Sequence, residues 1–148
     1  MINKEILNKS QLEIPEISLN STEESGFEEL GKEKIQALKE AISDIESLIE
    51  ERQKLSIEIL TEGEALKSGI NNFLLENDNP ELTDHDALME KNNLRAKKIA
   101  IAELQLNEKI DCWKDVALLK KELRIYEKEL KEKQSRVDAL SKLLRESN

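Results

Sequence analysis

Residues 116–144 read VALLKKELRIYEKELKEKQSRVDALSKLL. Alternating steps of three and four pick out Val116, Leu119, Leu123, Tyr126, Leu130, Lys133, Val137, Leu140 and Leu144. Eight of the nine are apolar or aromatic, and the residues between them are nearly all charged or polar. This is a heptad seam over about four repeats, the pattern by which one helix lays an apolar stripe on another. A single helix cannot bury such a stripe, so the sequence predicts association within the chain, between copies, or with another protein.

The seam has no breaker upstream of it as far as Pro80, and neither Pro nor Gly occurs after that residue. A second helix is therefore expected over 84–146. Its first half is broader in apolar character, with Ile99, Ala100, Ile101, Ala102, Leu104 and Leu106 followed by Ile110, Trp113 and Ala117. A wide face of this kind suits contact with more than one helix. Asn77-Asp78-Asn79-Pro80 interrupts the pattern. Thr83-Asp84-His85-Asp86 then offers a hydroxyl cap and acidic groups for the positive end of a helix dipole. A turn is expected over 77–83.

The first helix is predicted over 28–76. Ile35, Leu38, Ile42, Ile45 and Ile49 hold heptad spacing. The apolar phase then changes to Leu55, Ile59, Leu66, Ile70 and Phe73, with Arg52 and Ser56 where the first stripe would have continued. A phase shift changes local supercoiling or hands the stripe to another partner. Gly63 and Gly69 mark the expected place for a bend.

Folding about Pro80 pairs residues whose numbers sum to about 160. On that register a first helix starting near Glu28 runs out opposite Glu132, leaving Val137, Leu140, Leu143 and Leu144 as an overhang. These four, with Lys133 at a seam position, are the candidate surface for self-association or a partner, because a polar seam residue sets register or oligomer state.

Residues 1–26 read as a flexible tail, broken by Ser10, Pro15, Asn20, Ser21, Ser25 and Gly26. Leu12, Ile14, Ile17 and Leu19 alternate with polar neighbours across Pro15. Period-two alternation suits an extended docking peptide over residues 11–19 that adds to a partner's sheet edge or groove.

Composition agrees with long helices and narrow seams. Charged residues make up 37% of the chain and aromatics 3%, with four glycines and two prolines. The formal charge of −9 is unevenly spread: 5 basic against 12 acidic residues over 1–50, 3 against 10 over 51–90, and 15 against 10 over 91–148. An acidic front and a basic back favour a chain that folds on itself, although each exposed pair contributes only about 0.2–1 kcal/mol. Lys91, Arg95, Lys97, Lys98 and the later basic residues could track phosphates, but stacking aromatics are missing. They read as a solvated face pairing with the acidic helix, and nucleic acid is not the expected partner.

Chemistry finds little support. Cys112 is the single cysteine and His85 the single histidine. With a helix between them they lie about 40 Å apart at ~1.5 Å per residue, too far for a thiol–imidazole pair. No frame around Asn77 places the glycine and glutamate of a calcium loop. No metal, cofactor or enzymatic activity is expected. With Glu5 interrupting the short Ile2–Leu7 segment and no run of ~18 apolar residues, neither a signal peptide nor membrane insertion is expected. The reading is a soluble, cytoplasmic protein.

The expected architecture is all-α, a long antiparallel two-helix coiled-coil hairpin over 27–148 that assembles into a helical bundle. The expected role is that of a coiled-coil structural or adaptor protein, with protein partners and homo-oligomerisation. A hairpin chaperone or stalk subunit of an export, folding or assembly machine shares these features by fold-level analogy.

Overall fold

A computed structural model describes residues 21–77 and 85–147. The chain forms two helices, α1 (Ser21–Glu76) and α2 (His85–Glu146). They pack against each other antiparallel, and the described residues contain no strand. The docking peptide and Thr83 lie outside the described residues, as does the turn beyond Asn77.

α1 starts at Ser21, seven residues before the start expected from the sequence. It runs without interruption through Gly63 and Gly69. At its end the Asn77 backbone N–H donates to the Phe73 carbonyl oxygen at 3.0 Å. The Asn77 side-chain amide donates to the same oxygen at 2.9 Å. Asn77 therefore ends the helix with its side chain, without the left-handed backbone that asparagine tolerates.

The packing divides into two units. One, with residues up to Lys39 and from Glu129 onward, contains the close approach of Gly31 to Val137. A Cβ built on Gly31 would stand 2.8 Å from Val137 Cγ2. The stretch expected to overhang thus meets α1, and these two residue numbers sum to 168 rather than 160.

The second unit is Glu40–Lys128. Its apolar core is Ile45, Ile49 and Val116, with Cys112, Leu119, Leu123 and Tyr126 packed against it. The register again departs from the expected one. Arg52–Glu108 keeps the sum of 160, whereas the Cys112–Arg52, Gln105–Leu60, Arg52–Asp115 and Gln105–Glu64 contacts sum to 164–169. At a sum of 160 Ile42 would face Leu118 and Leu66 would face Leu94, and neither pair forms an apolar core contact, since Leu118 and Leu66 are exposed. The physical reason is polar. Gln105 and Arg52 need hydrogen-bond partners across the seam, and this register supplies them.

The covered row on α1 runs Ile45, Ile49, Arg52, Ser56, Leu60, Gly63, Lys67, and on α2 Ile101, Gln105, Glu108, Cys112, Val116, Leu119. Each row steps by threes and fours and then takes two fours together, at Arg52–Ser56–Leu60 and at Glu108–Cys112–Val116. Such a stutter locally unwinds a coiled coil. Because the two stutters face each other, both rows stay on the contact. The phase change seen in the sequence therefore does not move α1 onto the Leu55, Ile59, Leu66 and Phe73 stripe. Ile70 joins the covered row, while the other four remain exposed.

Candidate association surfaces

Within Glu40–Lys128 the covered row turns polar after Ile49. Arg52 Nε donates to Asp115 Oδ2 at 2.9 Å, and Arg52 Nη1 donates to Glu108 Oε1. These bonds hold the guanidinium charged more firmly than usual. The Arg52 hydrogen bond pulls the Glu108 carboxyl below its ordinary range, against partial desolvation. Gln105 is 8% exposed and donates from Nε2 to the Leu60 carbonyl oxygen at 3.0 Å and to Glu64 Oε1 at 3.2 Å. Lys67 and then Gln105 hydrogen-bond the Glu64 carboxylate, which lowers its pKa. A Cβ on Gly63 would fall 2.6 Å from Gln105 Nε2. Glycine at 63 is what admits the Gln105 amide.

A seam filled with polar groups leaves the apolar residues elsewhere. On α1, Leu48, Leu55, Ile59, Leu66 and Phe73 are exposed, each one residue before a covered position. On α2, Ile99, Ala102, Leu106, Trp113 and Ala117 are exposed, each one residue after a covered position, with Ile110 between them. Trp113 keeps 73% of its surface in solvent. In an antiparallel pair, a stripe just before the seam and a stripe just after it fall on opposite faces. The grooves agree. Leu48 shares one with Asp115, Leu118 and Leu119. Leu106 and Ala102 share another with Leu60, Glu64 and Lys67. The α1 stripe follows the stutter of its own helix. Large apolar side chains at this density are unusual on a surface with no partner.

The residues singled out near the C-terminus separate. In their unit Val137 lies half-buried with Gly31 against it, and Lys133 and Leu144 are half-buried. Leu140 and Leu143 are 41% and 63% exposed. Sequence reasoning missed Leu48 as part of an outward stripe and passed over Gln105 altogether. The available signal was that Arg52 and Ser56 continue one heptad row while Gln105 and Glu108 continue the other.

His85 is exposed at the first residue of α2, and half-buried Cys112 points its Sγ at the Arg52 carbonyl oxygen, 4.0 Å away. Among the described residues no three His, Cys, Asp or Glu side chains stand close enough to hold a metal ion. No described helix is long and apolar enough to cross a membrane. The chain matches no protein-family model, and comparison with curated proteins and with solved structures finds no significant match.

Proposed function

We propose that the protein is a non-enzymatic coiled-coil adaptor or assembly subunit that works by helix–helix association in the cytoplasm. The observation that carries this reading is the pair of exposed apolar stripes on α1 and α2, flanking a seam that is itself largely polar. Fully burying a large aliphatic or aromatic side chain yields about 1.5–3 kcal/mol. The stripes therefore hold much of the apolar free energy that the hairpin leaves unused. Leu140 and Leu143 add a smaller exposed patch, and the period-two peptide Leu12, Ile14, Ile17 and Leu19 is assigned to docking a further protein.

The test is site-specific photo-crosslinking of the full chain in cells, with the crosslinker at Leu66 or Trp113 and at Asn93 as an exposed polar control. Discrete protein adducts from the two stripe positions and none from the control are expected. No adduct at either stripe position refutes the association reading. Removing residues 1–20 is expected to cost one partner and leave stripe adducts in place.

A further inference from the structure

We infer that the occupant of each exposed stripe is a second copy of this chain, joined head to tail: the α1 stripe of one copy packs antiparallel onto the α2 stripe of the next. This rests on the association reading above and names its partner and face.

Charge selects the pairing. The α1 stripe is bordered, on the flank turned away from α2, by exposed Asp44, Glu51, Glu58 and Glu62, each three or four residues from a stripe position. The α2 stripe is bordered, on the flank next to the seam, by Lys98, Lys109 and Lys120, with Arg95 in line with it. Antiparallel helices bring like-handed flanks together, so the acidic row of α1 meets the basic row of α2. Asp44–Lys120 and Glu58–Lys109 then fall opposite one another at number sums of 164 and 167. The homotypic arrangements fail on the same rows. The α1 stripe packed antiparallel on its own copy sets acid against acid, and the α2 stripe on its copy sets lysine against lysine. Parallel packing would turn the acidic row toward the far flank of α2, where Glu103 interrupts Lys114 and Lys121.

Phase permits the pairing. The α1 stripe steps by seven from Leu48 to Leu55, by four to Ile59, then by seven to Leu66 and Phe73. The α2 stripe carries its two consecutive fours at Ala102–Leu106–Ile110. A partner helix without a matching stutter loses contact on one side of it. With Leu55–Ile59 set against Leu106, the two irregular steps coincide close to the charge register just given.

The stripes lie on opposite faces of the hairpin, so each copy gives one face to one neighbour and receives the other from a second. This heterologous contact continues into a ring or filament rather than stopping at a dimer.

Sedimentation equilibrium of the full chain tests it with two variants, Leu55→Asp/Leu66→Asp and Leu106→Asp/Ile110→Asp. All four positions are solvent-exposed, and circular dichroism checks that helicity is kept. Wild type is expected to grow beyond dimer as concentration rises from micromolar to sub-millimolar. Each variant alone should stay monomeric, and their equimolar mixture should form a 1:1 dimer and stop. Trp113 emission, in the mixture and in wild type, should shift to the blue on association. A second pair, Glu51→Lys/Glu62→Lys and Lys109→Glu/Lys120→Glu, makes the same comparison with little change in apolar surface. Each reversal alone should weaken assembly, and mixing the two should restore growth past dimer as an alternating array, because each reversed flank then meets its complement. A monomeric wild type overturns the inference, as does a wild type that halts at dimer with a mixture that stays monomeric. If self-assembly fails while stripe adducts to a different protein persist in cells, only this inference falls; loss of all adducts removes the association reading too.

Discussion

The Gln105 side-chain amide donates to the Leu60 carbonyl oxygen at 3.0 Å, over a glycine at position 63 that leaves it room. A residue already engaged in a helix's own ladder thus accepts a second bond from the neighbouring helix. The contact is specific because Gln105 is covered and its amide has few alternatives.

Gly63→Ala should therefore destabilise the hairpin although alanine is the better helix former. Alanine gains about 1 kcal/mol over glycine in a helix interior. Against this, displacing a buried amide from its partners costs about 1–3 kcal/mol. Gly69→Ala is the control, since nothing lies within 4 Å of a Cβ there. It should raise the urea midpoint while Gly63→Ala lowers it.

Gly31→Ala should lower stability by crowding Val137, whose Cγ2 would be 2.8 Å from the new methyl. Adding Val137→Ala should recover part of the loss. A double-mutant cycle from chemical unfolding should return a coupling of about 0.5–3 kcal/mol, the range for residues in contact. Strict additivity would mean that the two helices do not meet there.

Replacing Arg52 by alanine removes the partner of both Glu108 and Asp115. The Glu108 carboxyl should then titrate closer to its ordinary value, followed by side-chain carboxyl carbon shifts across an NMR pH series. The thermal midpoint should fall in the same variant, and Lys54→Ala, on the exposed side of α1, should leave both unchanged.

Acid should weaken the folded hairpin. The Glu64 and Glu108 carboxyls are held below the ordinary carboxylate range when folded, by Lys67 with Gln105 and by Arg52 respectively. A carboxyl depressed on folding binds fewer protons folded than unfolded. Its contribution is complete above the unfolded value and is lost as pH falls through the folded one. Melting midpoints should hold from neutral pH down to about pH 5 and decline below it. Arg52→Ala should make that decline shallower.

Helix number and direction were legible because the heptad spacing of Ile35–Ile49 and Val116–Leu144 is long and the breaker at Asn77–Pro80 is sharp. The start of α1 was not. Ser21, Ser25 and Gly26 carry weak helix preference, which packing overrides along a helix continuous with a docked segment. The register was hidden for a different reason. Arg52 and Gln105 look like surface residues in one dimension, and their pairing across the seam is a long-range fact. Gly63, read as a bend, serves close approach instead. The apolar phase change at Leu55 was visible, but whether the helix would turn with it or leave it exposed depended on those polar pairs.

The facing stutters have a consequence for how the chain can vary in length. Seven residues inserted between Leu60 and Glu76 alone would preserve every local repeat, yet would slide the irregular step at Arg52 one heptad past the one at Cys112. The two arms behave like the scales of a vernier: they read true only where their marks align. Growth or trimming between the stutters and the turn must therefore come in matched blocks on both arms.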